Sequence, residues 1–243
     1  MSEELYDIFI SFPLTDKDDK LSETINTKDF YIARKIYHVL THLLHIKTFF
    51  SEETLLNNNS ADFWEKIKEV IPKSKVLVVI LNSEKDYKRK FCKMERDLYL
   101  KRDEKDRKIF FLVSPEVHKV IGEYDIMEAE TGKPEVIRWH DLLHQQRFYN
   151  EVNNYFAKND PGKYKEVKIC LDCEKIFYKN NDIGTVCIHH RRSDITEFNN
   201  GKGSYFVRFN CCNKVIKLDN KNALYEISPG CVEEKKHRFG NDE

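Results

Sequence analysis

The run Val76–Leu81, with the sequence VLVVIL, constrains the fold of this chain more than any other segment. It is continuous, six residues long and rich in β-branched side chains. This pattern is typical of a central strand of a parallel sheet that is buried on both faces. Parallel neighbours need crossover connections, which are usually helices. The run therefore predicts an α/β domain built around it.

Strand and helix patterns alternate on both sides of that run. Short β-rich runs predict four further strands, at Tyr6–Phe12, Ile46–Phe50, Ile109–Val113 and Val136–Arg138. Apolar residues at helical spacing predict helices from a Thr27 cap to about His45, from a Ser60 cap to about Ile71, from about Arg89 to Lys101, and from about Leu142 to Phe156. The alternation predicts a five-stranded parallel sheet with helices on both faces. Ligands of such sheets bind beyond the carboxyl ends of the strands.

The sequence pattern changes at the end of this domain. Asn159–Gly162, with the sequence NDPG, is a strong turn signal, and the strands beyond it look short. The chain is 40% hydrophobic and 34% charged, which is compatible with a buried core and not with disorder. We therefore predict a parallel-sheet domain at 1–158 and a small β-rich domain at 163–243.

Four ordered segments of the first domain resemble a TIR (Toll/interleukin-1 receptor) domain. They are YDIFISF followed by Asp16, then KTFFSEETL, FWEKIKEVIPKSKVLVVILNSEKDY and FCKMERDL. The resemblance extends over about Tyr6–Phe156 and rests on these four segments. The resemblance implies a flavodoxin-like sheet, self-association through TIR domains, and a role in innate immune or antiphage signalling that depends on assembly.

The resemblance also implies a chemistry, because many TIR domains cleave NAD at the nicotinamide–ribose bond. Their catalytic glutamate falls on Glu95, and Phe12, Pro13, Ser51 and Phe91 fall beside the substrate. Nicotinamide leaves NAD as a neutral group without needing a proton donor. One carboxylate that stabilises the developing oxocarbenium ion can therefore suffice. Hydrolysis to ADP-ribose and cyclisation both remain open.

Two departures from the family bear on the alternative functions. Ser51 stands where the family often has an acidic residue, and Leu55–Asn59 replaces a frequent Pro-Gly pair. A non-catalytic TIR adaptor is compatible with this loop. A glutamate in the first turns of a helix is also commonly a solvated residue that favours the helix dipole. The catalytic assignment of Glu95 therefore depends on the resemblance.

The second domain carries a cluster of cysteines and histidines. Six of the chain's seven cysteines lie there, and the candidate ligands are Cys170, Cys173, Cys187, His190, Cys211, Cys212, Cys231 and His237. Structural zinc takes four thiolate or imidazole ligands. Eight ligands therefore predict two structural zinc ions, which would stabilise a domain with a thin core.

The division of these ligands into two sets stays open, and His189 could replace His190. The spacing resembles that of CHORD-type cysteine- and histidine-rich zinc modules over about Ile169–Phe239. Arg191 stands where those modules usually have proline. Related modules mostly bind proteins, so the resemblance implies that this domain senses a protein partner or a ligand.

Charge and hydropathy limit the classes of partner and the cellular location that we expect for the chain. The chain has 41 basic and 41 acidic residues, and the tail from residue 161 has 15 and 12, so nucleic-acid binding is not expected. The longest apolar run is far shorter than a membrane span, and the first residues do not resemble a secretory signal. We expect a cytoplasmic protein, in which reduced cysteines favour metal over disulfides.

Overall fold

A computed structural model provides the fold of the chain. It describes residues 6–18, 23–51, 60–120, 135–158, 166–170, 176–178, 187–189, 195–199, 205–209, 214–218 and 232–234. The described residues form two compact units. The first lies within Met1–Asp16 and Asn26–Trp139, and the second within Lys17–Ile25 and His140–Glu243. The last helix therefore falls in the second unit, whereas the predicted boundary followed that helix.

The first unit contains seven strands or parts of strands. They are β1 (Ile8–Ser11), β2 (Thr15–Asp18), β3 (Glu23–Asn26), β4 (Thr48–Phe49), β5 (Val76–Leu81), β6 (Ile109–Val113) and β7 (Glu135–Arg138). Five of them form one sheet in the order β4-β1-β5-β6-β7. Every pairing in it is parallel, with Ile8 opposite both Thr48 and Val76. The predicted five-stranded parallel α/β sheet is confirmed.

The strand order creates a switch point beside the first strand. Counted along the chain, the five parallel strands lie in the order 2-1-3-4-5. The next strand in the chain, β4, therefore lies on one side of β1, and the strand after it, β5, lies on the other side. Ligands of doubly wound sheets bind at the carboxyl edge of such a point. The carboxyl ends of β1 and β5 are thus the first place to look for a site.

Six helices accompany these strands among the described residues. They are α1 (Lys28–His38), α2 (Ser60–Val70), α3 (Glu84–Lys88), α4 (Lys90–Tyr99), α5 (Pro115–Val120) and α6 (Leu142–Ala157). The Thr27 side chain accepts a hydrogen bond from Phe30 N and caps α1, as predicted. A π-helical turn, Val39–Leu43, continues α1.

The core lies on both faces of the sheet. All six residues of β5 are buried, as expected of a strand covered on both sides. One face presents Phe9, Leu77 and Phe111 to residues of α2, α4 and α5. Helix α1 also contacts β5. The VLVVIL run is therefore the centre of the sheet because its alternate side chains have apolar neighbours on each face.

Two features differ from the predicted elements. The stretch after Pro13, expected to be a polar loop, contains the two-stranded sheet of β2 and β3, and Thr27 N donates to Leu14 O at its base. The helix expected from Arg89 is preceded by α3, and Arg89 between them has an extended conformation. Both segments are too polar or too short to produce the apolar period from which elements are predicted.

The second unit combines one helix with short antiparallel sheets. Its strands are β8 (Val167–Ile169), β9 (Ile176–Tyr178), β10 (Cys187–His189), β11 (Ile195–Asn199), β12 (Tyr205–Phe209), β13 (Lys214–Leu218) and β14 (Val232–Glu234). They pair as β8-β9, β10-β14 and β11-β12-β13. Gln146 and Asn150 of α6 hydrogen-bond the backbone of Ile169 and Val167. Helix α6 and the β8-β9 hairpin therefore form one packed piece.

A buried tyrosine hydroxyl connects the starts of β5 and β6. Tyr99 Oη donates to Lys75 O at 2.8 Å and accepts from Lys108 N at 3.0 Å. We expect Tyr99→Phe to lower the free energy of unfolding by about 1–2 kcal/mol, because it removes the hydrogen bonds of this hydroxyl to two partly buried backbone groups. Urea denaturation checks this. Tyr37→Phe is the matched control, since no hydrogen bond is found for that hydroxyl among the described residues; an equal loss in both variants would contradict the prediction.

Candidate active site

Glu95 lies at the switch point of the sheet. It is the sixth residue of α4, the helix that follows β5 and α3. Its Oε2 accepts a hydrogen bond of 2.6 Å from the hydroxyl of Ser11, which is the last residue of β1. The side chain of the predicted catalytic residue therefore reaches the carboxyl end of the strand at which the strand order reverses.

Both partners of this hydrogen bond are withdrawn from solvent. Ser11 is 1% exposed and Glu95 is 9% exposed. Among the described residues, no hydrogen bond reaches the other carboxylate oxygen, Oε1. Glu95 is thus a mostly buried carboxyl group with one oxygen held by protein and one available for a further contact. A helix glutamate with only a dipole role would lie in water instead.

Burial controls the protonation of Glu95. It raises the pKa from 4.5 to about 7, although the Ser11 hydrogen bond and the charge of Arg96 both lower it. Arg96 compensates incompletely because its Nη2 donates to Tyr87 O at 2.5 Å and its guanidinium lies over the Tyr87 ring. Glu95 therefore gains and loses its proton near neutral pH, a range in which acid–base and electrostatic groups of enzymes often titrate.

Cys92, one turn before Glu95, is a neutral packing residue. It is buried and free. Burial, with a smaller contribution from the charge of Glu95, raises the pKa of its thiol to about 12. A thiol with so high a pKa is not an activated nucleophile. This agrees with its interpretation as a small apolar residue that marks the helix of the candidate site.

A pair of buried aspartates stabilises the turn after β5. Asp86 accepts hydrogen bonds from Ser83 N and Oγ at 2.9 and 2.6 Å and from Arg89 Nε at 3.0 Å. Asp29 accepts from Asn82. Burial, and then the carboxylate of Asp86, raise the pKa of Asp29 well above its ordinary value. These contacts join the first turn of α1 to the segment that leads into α4.

The predicted substrate-contacting residues after β1 are largely in the core. Phe12 is buried, and its ring stacks on that of Phe50 with centroids 5.3 Å apart. Pro13 is buried as well, and its carbonyl accepts a hydrogen bond from Thr27. Ser51 is partly exposed and follows Phe50 directly. The loop of residues 52–59, which includes the departure at Leu55–Asn59, lies outside the described residues.

Phe91 has a different environment from Phe12. It is 63% exposed, on the first turn of α4. Its one aromatic neighbour among the described residues is Trp64 of α2, with ring centroids 5.8 Å apart in an edge-to-face arrangement. Trp64 is partly buried against the core, so Phe91 is the exposed ring of the pair, and an exposed aromatic can stack on a planar ligand or contact another protein.

Most of the predicted zinc ligands lie outside the described residues. These are Cys173, His190, Cys211, Cys212, Cys231 and His237. Cys170 is buried at the end of β8, and Cys187 begins β10, opposite Glu234. Within the described ranges, no group of three metal-binding side chains occurs. The two zinc sites therefore stay a prediction.

Sequence reasoning missed the contacts that position Glu95. The resemblance identifies Glu95 but assigns no role to Ser11, which lies within a predicted strand. Its signal was available, since Ser11 is the one polar residue between Ile8 and Phe12. The surroundings of Arg96 and the Asp29–Asp86 pair left no comparable signal, because charged residues on helices are usually solvated.

Comparison with known proteins adds no relative. No family model, no curated protein and no solved structure matches the chain. Among the described helices, none is both long and apolar enough to cross a membrane.

Proposed function

We propose that the first unit is a TIR-type, NAD-cleaving enzyme in which Glu95 is the catalytic residue. The observation that carries this proposal is the buried carboxyl group of Glu95, held by Ser11 at the carboxyl end of β1. The 2-1-3-4-5 order of parallel strands, which is the flavodoxin-like order, supports the fold assignment. The four motifs that resemble TIR domains supply the reaction class.

The reaction needs one carboxylate and no acid. The bond between ribose C1′ and the nicotinamide nitrogen breaks, and its electron pair neutralises the pyridinium nitrogen. The ribosyl carbon becomes an oxocarbenium ion, and Glu95 stabilises this charge from a site of low dielectric. Water then bonds to C1′ and releases a proton, giving ADP-ribose, or an adenine nitrogen bonds to C1′ and gives a cyclic product. Oε1 is the oxygen left available for the ribosyl group.

The second domain would regulate this activity. We assign it two structural zinc ions and a protein partner, as its ligand pattern and its resemblance to CHORD-type modules suggest. Self-association through the first unit would complete the active form. The exposed ring of Phe91 on α4, which packs edge to face on Trp64, is available either to the substrate or to a second copy.

Nicotinamide release tests the proposal directly. Concentrated full-length protein, with and without a clustering tag, is incubated with NAD at pH 8, and nicotinamide is measured by liquid chromatography. We expect turnover, and a loss of more than tenfold in Glu95→Ala. Glu65→Ala, an exposed glutamate of α2, is the matched control and should retain activity.

Two outcomes would redirect the interpretation. No release by the clustered wild-type protein would reject the enzyme and favour the adaptor, in which Phe91 and Trp64 would contact protein only. Equal release by wild type and Glu95→Ala would leave an enzyme but remove Glu95 from its catalytic centre.

A further inference from the structure

The contact between Ser11 and Glu95 joins residues that are 84 positions apart in the chain. Ser11 ends β1, and Glu95 lies in the second turn of α4. The donor–acceptor distance of 2.6 Å is typical of a strong hydrogen bond from a hydroxyl to a carboxylate. The two elements are held independently, β1 by its pairing with β5 and α4 by its apolar face. The hydroxyl is therefore a fixed donor and not a solvated one that happens to be near.

Ser11 can act on the reaction only through Glu95. It is 1% exposed, so no ligand can contact it without displacing core side chains. Its hydroxyl occupies Oε2 and thereby restricts rotation of the carboxylate, while no other described residue hydrogen-bonds Oε1. A carboxylate fixed in this way needs little reorganisation when positive charge develops beside it.

None of the other groups described around Glu95 replaces Ser11 as its uncharged hydrogen-bond donor. On α4 itself, Arg96 lowers the pKa of Glu95, Cys92 is a neutral thiol, and the remaining charged residues Lys90, Lys93 and Asp97 are exposed. Helix α3, packed beside α4, contributes Asp86, which pairs with Arg89. The described charged side chains of α2 and of the turn that follows it form surface pairs, namely Lys66 with Glu69, Lys68 with Glu65, and Lys73 with Glu69.

We propose that Ser11 is the positioning residue of the site: it orients the Glu95 carboxylate and sets the pH at which that carboxylate becomes ionised. The assignment rests on the proposed NAD cleavage for its catalytic meaning, but the coupling between Ser11 and Glu95 exists with or without substrate. A hydroxyl can donate to the ionised form of Glu95 more strongly than to its protonated form. Removing the hydroxyl therefore favours the protonated form.

Titration of Glu95 tests the coupling without any assay of activity. Full-length protein labelled with carbon-13 at glutamate carboxyl groups is titrated by NMR, and the Glu95 signal is assigned as the one absent from Glu95→Gln. We expect Ser11→Ala to move the midpoint upward by about one pH unit. Ser11→Thr keeps a hydroxyl and should restore a midpoint near that of wild type. Ser114→Ala, a buried serine whose oxygen accepts from Val117 N, is the matched control and should leave the midpoint unchanged.

The pH–rate profile supplies the second readout. If the pKa rises by one unit, the loss of nicotinamide release in Ser11→Ala is about eightfold larger at pH 6 than at pH 9, where Glu95 is ionised in both proteins and only the loss of orientation remains. A loss that is equal at all pH values, or a Glu95 midpoint identical in Ser11→Ala and wild type, overturns the proposal. If no variant releases nicotinamide, the proposed function fails, while the titration still decides whether Ser11 controls Glu95.

Discussion

Replacing Glu95 by glutamine is expected to raise the free energy of unfolding by about 3 kcal/mol at pH 8 and to leave it nearly unchanged at pH 4. Burial raises the pKa of Glu95 from 4.5 to about 7 in the folded protein. Below the lower value both states are protonated. Between the two values only the folded state keeps the proton, so stability falls as the pH rises. Above the higher value the full cost of a buried carboxylate is present.

Glutamine isolates this cost because it has the shape of glutamate and carries no charge. Its Oε1 can still accept the hydrogen bond from Ser11, so the packing of the site is retained. A residue whose removal stabilises the fold is kept for another reason, and catalysis is the common one. This prediction therefore bears on function without an assay of turnover.

Urea denaturation followed by tryptophan fluorescence is the measurement. The chain has two tryptophans, Trp64 and Trp139, and both lie in the first unit. The signal therefore reports the unit that contains Glu95. Glu65→Gln, at an exposed position, is the control and should change stability by no more than about 0.5 kcal/mol at any pH. Equal stability of wild type and Glu95→Gln at pH 8 would contradict the raised pKa of Glu95.

Removing zinc is expected to unfold the second domain and leave the parallel sheet folded. Structural zinc contributes about 10 kcal/mol or more to small domains, which is comparable to the whole stability of a domain. The strands β11, β12 and β13 should lose amide protection when a strong chelator is added, as measured by hydrogen exchange with mass spectrometry. Tryptophan fluorescence should not change, because both tryptophans lie in the first unit.

Metal content gives the corresponding stoichiometry. Elemental analysis should find about two zinc ions per chain. Cys173→Ser should reduce this number, whereas Cys92→Ala should not, because Cys92 lies on α4 and outside the ligand set. A metal-free protein with the same hydrogen exchange before and after chelation would refute the zinc assignment.

The architecture followed from short local patterns. VLVVIL predicted β5 with its bounds, and the IFFLV run predicted β6 with its bounds, because continuous apolar runs have few solutions other than buried strands. The Thr27 cap of α1 was equally readable, since capping depends on residues three positions apart. The hairpin of β2 and β3 was not predicted, because its strands have no apolar face and depend on pairing with each other.

The candidate site was also predictable only in part from the sequence. The motif around Glu95 identified a candidate carboxylate, but a motif contains no information on how much water reaches it. Its burial and its raised pKa arise from β1 and from the packing of α4, which no segment encodes alone. Phe12 and Phe91 illustrate the limit: both are aromatic residues at motif positions, yet the first is in the core and the second is exposed.

Local sequence was therefore sufficient to predict the class of fold, the parallel strands and the identity of the candidate carboxylate. These depend on the spacing of apolar residues, on strand and helix propensity, and on short motifs. The environment of Glu95 required the folded chain. Ser11 and Glu95 are 84 positions apart in the chain. They come into contact only when β1 pairs with β5 and α4 packs against the sheet. Burial raises the pKa of Glu95 to about 7 and the Ser11 hydrogen bond opposes part of that rise, and both effects exist only in the folded chain.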